Sequence, residues 1–384
     1  MMLNCQKEKF SIPEATSYIN VAFMSPNLKS VEAAGINGVL KKSQPWKTTR
    51  EDFFAPVQRL KKTFAQLINC DDPERIAFIP AVSYGIANAV RNIQASAHQN
   101  IILVDGGFPS NYYSWERLSS KTGVQIKIIS PPKNSDKTAA IWNQKILDAI
   151  DENTVAVALG NVHWADGTLF DLKKIRAKTT AHDALLIVDG TQSVGAYPLD
   201  IQEVKLDALI CASYKWLLGG YTFGVAFYGE KFDNGVPIEE NWINRLDSHH
   251  FENLVNYQPE YLPKANRYMM GEQSNFIGVP MLQASLDQIL EWGVTNIQAY
   301  CEEITREPIQ EFLDMGCQLE EKAFRAEHLF GVRLAPKMSM DKLKQNFQAQ
   351  NVIVSQRGNS IRIAPHVFNT PEDFKKLIRC FKEA

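Results

Sequence analysis

The stretch Asp183–Gly220, DALLIVDGTQSVGAYPLDIQEVKLDALICASYKWLLGG, decides how the rest of the chain is read. It holds two short apolar runs, each closed by polar side chains. Leu185–Val188 is too short for a typical helix and stops at Asp189-Gly190, the pattern of a strand buried on both faces. Ala208–Cys211 leads into Ser213-Tyr214-Lys215 and then Gly219-Gly220. Ligands of an open parallel sheet gather beyond the carboxyl ends of its strands, so Asp189 and Lys215 are expected to face one crevice.

An acid and a lysine so placed suit pyridoxal phosphate. Its aldehyde condenses with an amine, and an anion keeps its ring nitrogen protonated so that the ring draws electrons from a substrate Cα. Lys215 would hold the cofactor and then serve as the base. The pair alone also fits an acid that caps a turn and a solvated lysine.

VDGTQSVG followed by SYKW is more specific than that spacing. The wording resembles the class V aminotransferase family of fold type I pyridoxal phosphate enzymes, which includes cysteine desulfurases, kynureninases and isopenicillin N epimerase. With the matches below, the resemblance runs from about residue 18 to about residue 375. It implies an α/β fold: a mostly parallel seven-stranded sheet in a large domain, with a smaller α+β domain. It also implies a homodimer with active sites at the subunit interface. Under the resemblance Asp189 pairs with the pyridine nitrogen, Gln192 bonds the ring hydroxyl, Ser213 and Tyr214 help hold the phosphate, and Lys215 carries the cofactor.

Composition is that of an ordinary globular protein, 45% apolar and 22% charged over 384 residues, enough for two domains. The formal net charge of −2, with no long run of one sign, argues against nucleic-acid or membrane-surface partners. Six cysteines lie scattered without metal-site spacing, as free thiols in a reducing compartment do. The amino terminus lacks the apolar core of a signal peptide, and no apolar stretch nears the roughly 20 residues needed to cross a bilayer. These features predict a soluble, cytoplasmic protein that binds no metal.

Along the chain, Tyr18-Ile19-Asn20-Val21-Ala22 resembles the family's opening strand, which puts Asn20 by the substrate. Arg75–Ile79 reads as a strand and Val82–Val90 as the helix after it. A helix start offers free N–H groups and a positive dipole end, so Val82 and Ser83 are candidates for the phosphate, with an ordinary helix cap as the alternative. No GxGxxG or GxxxxGK[ST] motif occurs, which counts against a dinucleotide or P-loop site. Ile101–Asp105 is another strand, followed by Phe108-Pro109-Ser110-Asn111. The family stacks a ring from this loop on the cofactor, which makes Phe108 the candidate. After the strand Thr154–Leu159 comes GNVHWADG, where the resemblance expects a polar group near cofactor and substrate: Asn161 first, His163 second. Gly224–Tyr228 is expected to return antiparallel.

Periodicity is poor over 234–266, and the domain division is placed near there: 15–250 in the large domain, 1–14 and 251–384 in the small one. Met270-Gly271-Glu272-Gln273-Ser274-Asn275 resembles the loop that family members insert into the neighbouring subunit's phosphate site. Gln273 or Ser274 would replace the usual threonine. A helical region to about Asp314 is expected to be interrupted at Pro308, and Thr370-Pro371-Glu372-Asp373 to start the last helix.

Arg362-Ile363-Ala364-Pro365-His366-Val367-Phe368-Asn369-Thr370 resembles the family's carboxy-terminal signature, whose arginine grips the substrate α-carboxylate. A guanidinium fork fixes orientation as well as charge. Desulfurases carry a reactive cysteine shortly before this arginine, yet Cys317 is the last cysteine ahead of Arg362, so a persulfide-forming desulfurase is not expected. Transamination of an L-amino acid is the leading reading. A lyase or epimerase on the same scaffold, and a catalytically silent binding protein, stay open.

Overall fold

The structure, a computed structural model, describes residues 3–132 and 138–384. A two-residue strand, β1 (Ser17–Tyr18), precedes the main sheet, and the expected opening strand persists beyond it only as a bridge from Asn20 to Ala364.

Seven strands build the main sheet: β2 (Ile76–Ile79), β3 (Asn100–Val104), β4 (Gln125–Ile129), β5 (Thr154–Gly160), β6 (Leu185–Asp189), β7 (Ala208–Ala212) and β8 (Gly224–Tyr228), in the order β2-β8-β7-β6-β5-β3-β4. β3 to β7 run parallel, and β8 lies antiparallel to β7 and β2, as its sequence predicted. Strands inside a covered sheet read as unbroken apolar runs, which is why β2, β3, β7 and β8 are buried throughout. β2 and β4 are the two edges: β2 stays buried because the chain around Met270 covers it, whereas the side chains of β4 are half-buried or exposed.

The helices before the small sheet are α1 (Lys29–Lys42), α2 (Glu51–Leu67), α3 (Val82–Arg91), α4 (Ser110–Thr122), α5 (Thr138–Ala149), α6 (Leu172–Ala181), α7 (Ile201–Val204), α8 (Gly278–Trp292) and α9 (Val294–Asp314). Gly85 lets α3 approach the sheet closely: a Cβ there would stand 2.7 Å from Ile210 and 2.8 Å from Ile79. That contact sets the start of α3 against the carboxyl ends of β2 and β7.

Residues 264–292 bond to the larger sheet and its helices. Met270 N–H donates to Phe78 O at 2.9 Å, Arg59 on α2 reaches Asp287 on α8 at 2.9 Å, and Gln283 donates to Thr63 at 2.9 Å. These bonds cross the predicted division near residue 250.

The expected break at Pro308 does not occur, because α9 runs unbroken through it. Proline removes one N–H bond, but Ile304, Thr305, Pro308 and Phe312 bury one face and hold the turn. The remaining strands, β9 (Phe330–Arg333), β10 (Val352–Ile353), β11 (Ser355–Arg357) and β12 (Ser360–Ile363), pair antiparallel in the order β11-β12-β9, with β10 parallel to β1. α10 (Met340–Ala349) and α11 (Pro371–Lys382) accompany them, and α11 starts where predicted, with Thr370 N–H donating to Asp373 at 2.8 Å. Among the described residues no helix is long and apolar enough to cross a membrane.

Candidate active site

β6 ends in Asp189, and the chain after β7 turns back through Ser213-Tyr214-Lys215. Because the strands are parallel and adjacent, Asp189 pairing with Ile210, both residues emerge on one edge of the sheet. They line a single cavity of about 330 Å³. Val82 and Ser83 from the start of α3, Phe108 from the loop after β3, Gln192 and Tyr214 line it too. Ser110, Trp164, Thr191, Tyr221 and Thr222 line it without having been singled out.

Lys215 is 7% exposed. Burial pushes its pKa down to about 8, with Asp189 pulling against it and the Arg362 and Arg357 charges adding to it. An amine with that pKa is free base far more often at neutral pH than an ordinary lysine, as a nucleophile or base requires. Its Nζ lies 5.7 Å from the Phe108 ring centre and 5.5 Å from that of Tyr214.

Asp189 is held on both oxygens: Thr191 N–H donates to Oδ1 at 2.9 Å and Asn111 Nδ2 to Oδ2 at 2.6 Å. Asn111, three residues after Phe108, therefore positions the acid. At the other wall, Val82 and Ser83 are the first two residues of a ten-residue helix, where N–H groups lack intrahelical acceptors. A buried amine, a fixed carboxylate and a helix start on one cavity fit pyridoxal phosphate: one partner each for aldehyde, ring nitrogen and phosphate.

Other expected residues stand elsewhere. Ser213 does not line the cavity; its Oγ lies 2.6 Å from both Gly220 O and Phe223 O and closes the loop on itself. Asn161 faces a second cavity with Tyr197 and Arg325, and its Oδ1 has no partner. At the end of β5 the backbone is fixed by bonds from Phe170 N–H to Asn161 O at 2.9 Å and from His163 N–H to Thr168 O at 2.8 Å, and neither side chain lines the Lys215 cavity. His163 uses both ring nitrogens, Nδ1 on Asp166 at 2.9 Å and Nε2 on Gly106 O at 3.2 Å. Burial works against its charged form, but Asp166 outweighs that and raises its pKa. It lines an adjoining cavity of about 240 Å³ that shares Phe108, Trp164, Asp189 and Gln192 with the first. Gln192 bonds Ala22 O and Trp216 Nε1. Asn20 accepts from Ser355 Oγ at 2.8 Å. Ser274 donates to Phe53 O at 2.9 Å and does not reach the cavity of its own protomer.

Arg362 is 1% exposed, and its Nη1 donates to Trp164 O at 2.7 Å. Nε and Nη2 have no partner, so a buried guanidinium keeps an unfilled bonding edge beside Trp164. Such an edge calls for an anion. No cysteine lines the Lys215 cavity. Asp247, His249 and His250 bring three donor atoms within 4.8 Å of one another, and none lines it either.

Beneath Gln192, His328 Nε2 lies 2.8 Å from Gln192 O and its Nδ1 accepts from Gln298 Nε2 at 2.9 Å. Both contacts suit the neutral ring. Burial pushes the pKa of His328 down to about 4 and that of its neighbour His366 to about 3. A folded pKa below the unfolded value of about 6.5 means stability is full above that pH and is lost as pH falls. We expect the melting temperature to decline between about pH 6.5 and about pH 4, His328 contributing on the order of 3 kcal/mol. Melting curves across that range check this; a flat profile, or an unchanged slope in His328→Gln, would contradict it.

The family model described as Aminotransferase class-V matches residues 42–379. YcbU of Bacillus subtilis, described as an uncharacterized aminotransferase, is 26% identical over 349 residues, covering 89% of this chain and 86% of the relative. Among solved structures, a C-DES mutant with glycine covalently linked to its pyridoxal phosphate aligns with TM-score 0.85 at 16% identity, covering 99% of this chain and 100% of that one. The cysteine desulfurase CsdA of Escherichia coli aligns with TM-score 0.81 at 14% identity, covering 98% and 96%. The architecture is the one these two share.

Proposed function

The chain belongs to the class V aminotransferase family and is a pyridoxal phosphate-dependent enzyme, and from that premise we propose that it transaminates an L-amino acid with Lys215 as its catalytic amine. One observation carries the reading: Lys215, with its lowered pKa, and Asp189, fixed by Asn111 and Thr191, line one cavity.

Pyridoxal phosphate, when bound, draws electrons from the bonds at the substrate Cα. Asp189 would hold the ring nitrogen's proton, the start of α3 with Tyr214 the phosphate, Gln192 the ring hydroxyl, and Phe108 the ring face. Arg362 would orient the substrate through its α-carboxylate, with Asn20 alongside. Lys215 Nζ then takes the Cα proton. Delivery of that proton to the cofactor carbon that had been its aldehyde would give transamination; delivery of a different proton to the opposite face of Cα by a second donor would give epimerisation. The naming of YcbU supports the former. A desulfurase reading is disfavoured because no thiol lines the cavity.

A homodimer is part of the proposal. Ile36, Val39 and Leu40 on α1, with Trp46 just after it, are exposed apolar side chains of the kind a partner covers. Ser274 would then serve the partner's phosphate, since it does not reach its own protomer's cavity. The cysteines are all unpaired, which supports a cytoplasmic location.

The test is colour. The purified protein should be yellow, and single L-amino acids offered without a keto acid should bleach it to the aminated cofactor. Release of pyruvate or ammonia in place of bleaching would assign a lyase instead.

A further inference from the structure

The hairpin of β11 and β12 carries two arginines on one face. Its register pairs Ser355 with Arg362 and Arg357 with Ser360. Residues directly paired share a face, as do residues two apart on one strand, so Arg357 and Arg362 project from the same side.

Both meet Trp164. Arg362 donates to its carbonyl at 2.7 Å, and the Arg357 guanidinium lies 5.2 Å from its ring centre. Trp164 lines the Lys215 cavity and meets Phe108 edge-on at 5.5 Å. Neither guanidinium lines the cavity itself; the two cations stand together behind Trp164, and both charges act on Lys215. Arg357 Nη1 donates to Gln356 O at 2.7 Å, and its Nε is buried with no partner. No acid acts on either guanidinium among the described residues; the charge felt by Arg362 comes from Arg357 and Tyr18. Among the described residues Asp189 is the only carboxylate lining the cavity. One α-carboxylate on Arg362 would leave the Arg357 charge unanswered.

We propose that the substrate carries a second carboxylate on its side chain, bound by Arg357 against the Trp164 ring while Arg362 takes the α-carboxylate. The preferred substrates are then dicarboxylic amino acids. The inference rests on the amino-acid reading above and narrows it.

Two measurements on the holoenzyme test it. Calorimetric titration with succinate and glutarate against butyrate, none of which can react, should show the dicarboxylates binding roughly tenfold tighter or more, the contribution of one charged hydrogen bond. Arg357→Ala should abolish that preference, and Arg357→Lys should restore part of it while reporting that the site is folded. In parallel, L-aspartate or L-glutamate should bleach the cofactor at lower concentration than L-alanine. Equal binding of succinate, glutarate and butyrate, or a preference untouched by Arg357→Ala, overturns the proposal. If alanine bleaches as well as the acidic amino acids, the second anion is wrong while the amino-acid reading stands. If no amino acid bleaches the holoenzyme, transamination falls, and the succinate, glutarate and butyrate titrations alone decide the second anion.

Discussion

Lys215→Ala is expected to fold, to bind pyridoxal phosphate without a covalent link, and to lose turnover by about 10²–10⁴-fold or more, the range for removing a positioned acid–base group. The argument is geometric first. Among the described residues Lys215 is the only lysine lining the cavity it shares with Asp189, so none of them offers a second amine there. Electrostatics follows: burial brings its pKa to about 8, an effect that a lysine placed elsewhere on the surface would not feel. Borohydride reduction of the native enzyme, then peptide mass analysis, should place the cofactor's mass on Lys215. The same treatment of Lys215→Ala should leave it unlabelled, and added ammonia or methylamine should return part of the activity. Labelling of another lysine in the native enzyme, or near-native turnover in the variant, would remove Lys215 from the reaction.

Arg362→Ala should weaken carboxylate substrates by about 1.5–3 kcal/mol, roughly 10- to 150-fold, the contribution of a hydrogen bond to a charged group. The guanidinium is almost wholly buried and keeps two nitrogens without partners. Burial and then Arg357 push its pKa down, and a carboxylate bound there would offset both effects. The loss should appear in KM more than in kcat if the grip is equal in ground and transition states, and in kcat as well if orientation at Cα depends on it. Arg362→Ala also leaves Trp164 O without its donor, so a control is needed. The matching amine without a carboxylate should react equally poorly with both enzymes. A variant that loses both kinds of substrate alike would point to a collapsed site, and one that loses neither would show that the carboxylate binds elsewhere.

Much of this site was readable before any coordinates. Asp189 ends a strand, and Lys215, Phe108, Val82 and Ser83 lie within four residues of one, each strand declaring itself by its apolar run; a parallel sheet sends all such ends to one edge. The order of elements was legible for the same reason, down to the antiparallel return of β8. What pattern alone misjudged were side chains in loops and one proline. Ser213 turns its hydroxyl onto its own loop, Asn161 enters a different cavity, and α9 passes through Pro308.

The sequence by itself determined which elements form and which residues end them, since hydrophobic periodicity and strand length act over a few neighbours. Only the tertiary structure decided the partners. Asn111 meets Asp189 across 78 residues and Arg362 meets Trp164 across 198. The hairpin register that sets Arg357 beside Arg362 depends on β12 pairing with β9 as well as with β11. Such contacts join segments that share no local pattern. Packing and backbone hydrogen bonding aim these side chains, and both are absent until the chain has folded.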